Sequence, residues 1–273
     1  AAFVICRNQT LLTTIKDFAV VRNSAASTLR DMAVGAINSF SRSPEAVPLL
    51  NSVGVVPDVL QPALYEFPCR NPLQEELVRL TVTSAVANLS AEGQHAGVIG
   101  EWTATPSGRR AVMNLVKCLG LALSDMRWDS VSFTPHSVVY PLHNLVRACP
   151  SVLPALRMSD IINHLAVLLH TYRRYAHATE TLELGVLILE LLAGDEDSMR
   201  VMRKGRVLET LHTIGAGERA RKPAERLMEK LVASPMALCM GTLADSANKS
   251  FIRTLDADTL GIIAGYACYD LSG

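Results

Sequence analysis

The chain has 273 residues with Lys+Arg 26 against Asp+Glu 26, so its formal net charge is zero; 49% of it is hydrophobic and only 5% aromatic. A zero net charge excludes a global field that would draw nucleic acid or an anionic membrane, so electrostatic recognition has to be local. No apolar run approaches the roughly 18 residues a membrane span needs, and the start does not read as a signal peptide. A composition rich in Ala, Leu and Val suits helix-on-helix packing with small residues at the crossings. Cys6, Cys69, Cys118, Cys149, Cys239 and Cys268 show no C-x-x-C spacing. They read as small core side chains in a reducing compartment, which predicts an intracellular, cytoplasmic protein. The chain begins with Ala rather than Met, and a fragment or processed product is the expectation.

In chain order, residues 1–22 supply Leu11, Leu12, Ile15, Phe18 and Val21, the pattern of a last helix from a partial N-terminal unit. The first full unit, Asn23 to Phe67, opens with a helix whose apolar positions are Leu29, Met32, Ala33, Ala36, Ile37 and Phe40. Ser41 to Pro44 ends that helix and opens a short second one. Gly54 to Pro57 then makes a corner, with Gly suited to a left-handed turn and Pro to the first position of a third helix through Val59, Leu60 and Leu64. The Pro68 to Pro72 turn separates this unit from a long helix over Leu73 to Leu89 and a short one over His95 to Trp102.

Thr103 to Gly108 reads as a longer loop, either a surface insertion or a partner contact bracketed by Trp102, Arg109 and Arg110. Arg127 to Thr134 is a second break, with Trp128 and Phe133 expected to fold back onto the array. The third unit runs from Pro135 to Tyr175 around Pro150 and Pro154, and the fourth from Ala178 to Ile214. Gly215 to Lys222 is a turn before a fifth long helix ending at Ala233. Residues 234–273 form an irregular cap in which Met236 to Leu243 and Leu260 to Tyr269 are expected as separate helices. No alternating run bounded by hairpin turns is present, so essentially no β-sheet is expected.

Aligned on Asn38, the long helices place Asn88, Asn144, Glu190 and Lys230 at equivalent positions, spaced by roughly 40 to 56 residues, within or just beyond the range of three-helix repeat units. Leu89, Leu145, Leu187 and Leu191 are expected to be buried between units. With the Gly-Val-Val-Pro corner at Gly54 and the Gly-Arg-Val-Leu corner at Gly205, these anchors give the chain over residues 8–233 a likeness: it resembles the armadillo-repeat family. The resemblance implies an all-α, right-handed α-solenoid forming a single domain over residues 1–273. It also implies a concave groove in which Asn38, Asn88 and Asn144 hydrogen-bond an extended peptide, with Glu190 and Lys230 continuing the row. Val34, Ser84, Tyr140, Val186 and Arg226 would flank it. The importin-type members carry Trp in that flanking row, where this chain has only Tyr140 as an aromatic, which argues against recognition of a basic nuclear-import signal.

The span Glu180 to Asp197 is acidic and the span Arg200 to Lys230 basic, so adjacent units carry opposite sign; they can steer a partner or pair with one another. Nucleotide-binding, zinc-protease and hydrolase motifs are absent from the sequence, and neither the His136/His143 pair nor the His164/His170 pair has zinc spacing. The expectation is therefore a non-enzymatic scaffold or adaptor without cofactor or metal, binding a protein or extended peptide in its groove. A second reading is a regulatory module that takes a small anion or nucleic-acid phosphate at Arg219, Arg221, Lys222, Arg226 and Lys230.

Overall fold

The computed structural model describes residues 9–20, 27–66, 72–129, 131–205, 207–214 and 219–244. The helices are α1 (Gln9–Val20), α2 (Ser27–Phe40), α3 (Val47–Ser52), α4 (Gln61–Tyr65), α5 (Pro72–Leu89), α6 (Ala96–Ala104) and α7 (Pro106–Leu123). They continue as α8 (Pro135–Ala148), α9 (Leu153–Arg157), α10 (Ile161–Thr171), α11 (Ala178–Leu192), α12 (Glu196–Lys204), α13 (Val207–His212) and α14 (Arg221–Ala244). Among the described residues the fold is all-α apart from a two-stranded antiparallel ribbon, β1 (Arg127–Trp128) and β2 (Val131–Ser132). In that ribbon Trp128 is buried, with the Lys117 ammonium 4.3 Å over its ring, and Phe133 packs on the core. The expectation that this break folds back is met.

The helices pack with a strict period of three. The long helices α2, α5, α8, α11 and α14 lie side by side in sequence order, each against the next. A second row, α7, α10 and α13, does the same. Each short helix rests on the long helix of the following unit: α3 on α5, α6 on α8, α9 on α11, and α12 on α14. A unit therefore buries its apolar stripe mainly against neighbours, and the core is a continuous seam. No single helix among the described residues is long and apolar enough to cross a membrane.

Local chemistry explains the breaks. Gly54 has φ +71, the left-handed turn expected of it, and Pro57 sits in the first turn of the π-helical segment Val56–Leu60 that leads into α4. Thr134 caps α8 with a capping box to Ser137, and Asp195 caps α12 by accepting from the Ser198 amide at 3.0 Å.

Several expectations are corrected. Thr103 to Gly108 is not a loop: Thr103 and Ala104 end α6, and Thr105 alone makes the corner, its hydroxyl accepting from the Gly108 amide at 3.0 Å to cap α7 with Pro106 in its first turn. Gly108 makes this possible, because a Cβ there would run into the backbone of Trp102 and Thr103. In α2 the buried face is Arg30, Ala33, Val34 and Ile37, whereas Leu29 is 52% and Met32 66% exposed. In α11, Leu191 is 39% exposed and Leu187 half-buried; the core positions are Leu184, Ile188, Leu189 and Leu192. Leu89 and Leu145 are fully buried as expected. Helix α14 runs unbroken from Arg221 to Ala244, so Met236 to Leu243 continues the fifth long helix and is not a separate cap element. The Leu260 to Tyr269 helix, residues 215–218 of the Gly215 to Lys222 turn, residues 68–71 of the Pro68 to Pro72 turn, Val21, and the side chains of Cys6, Cys69, Cys239 and Cys268 lie outside the described residues.

Candidate functional site on the stacked long helices

Two of the three asparagine anchors meet in one hydrogen-bonded ladder. Asn144 Nδ2 donates to Asn88 Oδ1 at 3.2 Å, and Asn88 Nδ2 donates to Ser41 Oγ at 3.0 Å. Ser41 Oγ in turn donates to the Asn38 backbone carbonyl at 2.8 Å. The ladder crosses from the end of α2 through α5 to α8 and ties three successive units together. Asn88 is only 1% and Asn144 4% exposed. These amides are an internal strut, satisfied by one another, and not a row turned toward a peptide. Ser41 takes the place in the ladder that the anchor alignment gave to Asn38.

Asn38 itself is half-buried, and its Oδ1 has no hydrogen-bond partner among the described residues. Ser84 is buried and returns its hydroxyl to the Leu80 carbonyl of its own helix at 2.8 Å. Tyr140 is half-buried and hydrogen-bonded to the Asn144 side chain; burial pushes its phenol above the ordinary value. Val34 and Val186 of the flanking row are core residues.

Further along the stack Glu190 is engaged by Lys230 of its own row and by Arg226 of the flanking row. Arg226 clamps it bidentately, Nε and Nη2 each 2.8 Å from a carboxylate oxygen, and Lys230 Nζ donates to the Glu190 backbone carbonyl at 3.3 Å. The Arg226 hydrogen bonds hold the Glu190 carboxyl below the usual carboxylate range. Other charges nearby also pair locally: Arg157 of the third unit with Asp195 of the fourth at 2.8 Å, Arg203 with Glu196 within the fourth at 2.8 Å, and Arg221 with Glu225 within the fifth long helix at 2.7 Å. Arg226, Lys230 and Arg221 thus have carboxylate partners, which leaves less free positive charge for an external phosphate than the sequence suggests.

Arg42, Thr81 and Ser137, which sequence reasoning missed, join Asn38 and Ser84 beside the first three long helices. A pocket of about 350 Å³ opens there, with Asn38 and Arg42 on one side, Leu80 and Ser84 on another, and Phe133 and Ser137 closing it from the ribbon and α8. Arg42 has no carboxylate partner among the described residues; its guanidinium reaches only Ser39 Oγ, at 3.3 Å, and burial pulls it below its ordinary value. Next to it, His136 Nε2 lies 3.2 Å from Glu180, and its ring stacks on His177 at 4.7 Å. Burial lowers the His136 pKa, with the Glu180 charge acting in the opposite sense. Arg42, His136 and His177 stand at no anchor position, so the repeat alignment passes over them; the one signal was a basic residue in the Ser41 to Pro44 helix stop.

Cys118 and Cys149 are free and buried. Burial pushes the Cys118 thiol up to about 12, and Cys149 Sγ sits 3.3 Å from Thr103 Oγ1 and 3.0 Å from Ser151 Oγ. The Cys118 environment does not activate a nucleophile. Among the described residues no group of three or more His, Cys, Asp or Glu side chains is arranged to hold a metal ion. Comparison with family models, with curated proteins and with solved structures finds no match to this chain.

Proposed function

We propose that the chain is a right-handed, armadillo-like solenoid that works as a non-enzymatic scaffold or adaptor in the cytoplasm, binding a protein partner on the face of its stacked long helices. The observation that carries this reading is the unbroken row of α2, α5, α8, α11 and α14, with an open pocket where its first three members meet the ribbon. A repeat array of this kind offers an extended surface whose recognition residues change while its packing is kept. Asn38, Arg42, Thr81 and Tyr140 are the side chains available there, with Asn88 and Asn144 holding the surface in place from beneath.

The test is a partner captured by the intact chain and then measured against two surface variants. Thr81→Lys puts a charged stem at the pocket, where Thr81 is a half-buried lining residue. Val167→Lys does the same on α10, in the second row, where Val167 is exposed. Binding should fall at least about tenfold in Thr81→Lys and stay unchanged in Val167→Lys, since a desolvated charge at an interface core costs a few kcal/mol. The reverse pattern would move the site to the other row and contradict the proposal.

A further inference from the structure

The pocket among α2, α5 and the ribbon has a sharper chemistry than a general docking face. Its lining combines an apolar body, Leu77, Leu80, Leu115 and Phe133, with one charged residue, Arg42, and it contains no carboxylate. Arg42 is a partly buried guanidinium with no carboxylate beside it among the described residues, so a ligand anion would meet it with part of its hydration already lost. The opening turn of α8 also lines the pocket, at Thr134 and Ser137, and a helix N-terminus adds positive potential at that point. Opposite stands Asn38, whose carbonyl oxygen has no donor. That oxygen is itself buried, so the amide has to turn before it can accept from a ligand N–H.

We infer that this pocket receives the free C-terminus of an extended peptide ending in an apolar residue: Arg42 takes the terminal carboxylate, the last side chain fills the space between Leu80 and Phe133, and Asn38 accepts from the terminal amide N–H. An internal peptide segment brings an anion to Arg42 only on an Asp or Glu side chain, which then does not fill the apolar space between Leu80 and Phe133, and a purely apolar ligand brings no anion at all. The inference rests on the groove reading above and narrows it to one end of the partner.

The probes are N-acetyl-leucine, N-acetyl-leucinamide and hexanoate, titrated into the intact, isotope-labelled chain and followed by backbone amide shifts. N-acetyl-leucine should give saturable shifts at Asn38, Ser84 and Ser137. The amide, which lacks the charge, should bind at least about tenfold weaker, and hexanoate, which lacks the N–H, should also bind more weakly. Arg42→Gln, checked for an unchanged melting temperature, should bring acid and amide to equal affinity, and Arg42→Lys should keep part of the difference. Equal binding of acid and amide by the unaltered chain, an acid preference that survives Arg42→Gln, or no saturable shift at all would each overturn the inference. Hexanoate binding as well as N-acetyl-leucine would overturn the peptide assignment. None of these outcomes touches the Thr81→Lys result with a captured partner, so failure of this inference and failure of the groove reading are separately visible.

Discussion

Trp102→Ala should lower stability by about 3 to 5 kcal/mol, the range for removing a large buried aromatic from a core that cannot close over the gap. Trp102 is among the largest fully buried side chains. Its ring stands edge-on to Tyr65, centroids 5.4 Å apart, and its Nε1 donates to Thr83 Oγ1 at 3.0 Å. One side chain of α6 thereby joins the end of the first unit to the long helix of its own. Trp102→Phe keeps much of the ring and gives up the N–H bond, while Thr83 still donates to the Arg79 carbonyl at 2.7 Å and no donor is orphaned. Its cost should be nearer about 1 kcal/mol. Urea melts of the two variants against the unaltered chain measure the difference, and a near-neutral alanine would mean that α6 does not pack as described.

The second large effect is expected at the α6 to α7 corner. Gly108→Ala adds a methyl group against the Trp102 carbonyl and the Thr103 Cα. These are backbone atoms that can yield only if the corner opens. A helix interior gains roughly 1 kcal/mol from Ala over Gly, but overpacking against fixed atoms costs about 1 to 3 kcal/mol or more, so the net change should be a clear loss. Gly120→Ala is the control. Its Cβ would meet the imidazole tip of His164, the far end of a side chain that can swing away at the expense of its 2.7 Å contact with the Asp160 carbonyl. That variant should stay within about 1 kcal/mol of the parent, the propensity gain offsetting the displaced contact. Melting both side by side settles whether the corner is as tight as Thr105 capping requires; equal effects would argue that it is not.

The corner also shows where sequence reading reaches its limit. Thr-Pro-Ser-Gly at Thr105 to Gly108 is a turn by composition and a helix start by mechanism, and only the short distance between α6 and α7 decides for the second. The Gly54 corner was legible because a left-handed φ asks for glycine whatever surrounds it. The order of long and short helices was legible for the same reason: periodicity and stop signals are local. Which stripe of a helix faces inward is not local. Leu29 and Met32 have helical spacing with Ile37 yet lie outside, because the neighbours of α2 meet the face bearing Ala33 and Val34. Leu191 fails as a core residue in the same way, displaced by Ile188 and Leu192. At Pro235 a residue that usually stops a helix is carried inside α14.

The anchors divide along the same line. Their register was readable, and it places Asn88 and Asn144 in one ladder, but an alignment says nothing about which side of the long helix turns to solvent. Glu190 and Lys230 were likewise recognised as one row with Arg226 flanking it, and the structure makes the three a closed cluster of ion pairs. Asn38 was legible as an anchor, whereas Arg42, which lines the same pocket, differs from its surroundings only in what it lacks, and a missing partner cannot be seen until the fold is assembled.

The account turns on long helices that stack at equivalent positions, and a double-mutant cycle on Asn88 and Asn144 tests this most directly. The two residues are 56 apart in sequence, and their side chains can share a bond only if α5 and α8 stack in repeat register. Each alanine substitution alone should cost about 1 to 3 kcal/mol, because each leaves a buried amide partner unsatisfied. The double substitution should cost less than the sum by about 0.5 kcal/mol or more, the coupling expected of side chains in one buried network. Single losses that add within about 0.3 kcal/mol, the behaviour of distant independent sites, would contradict the stacking.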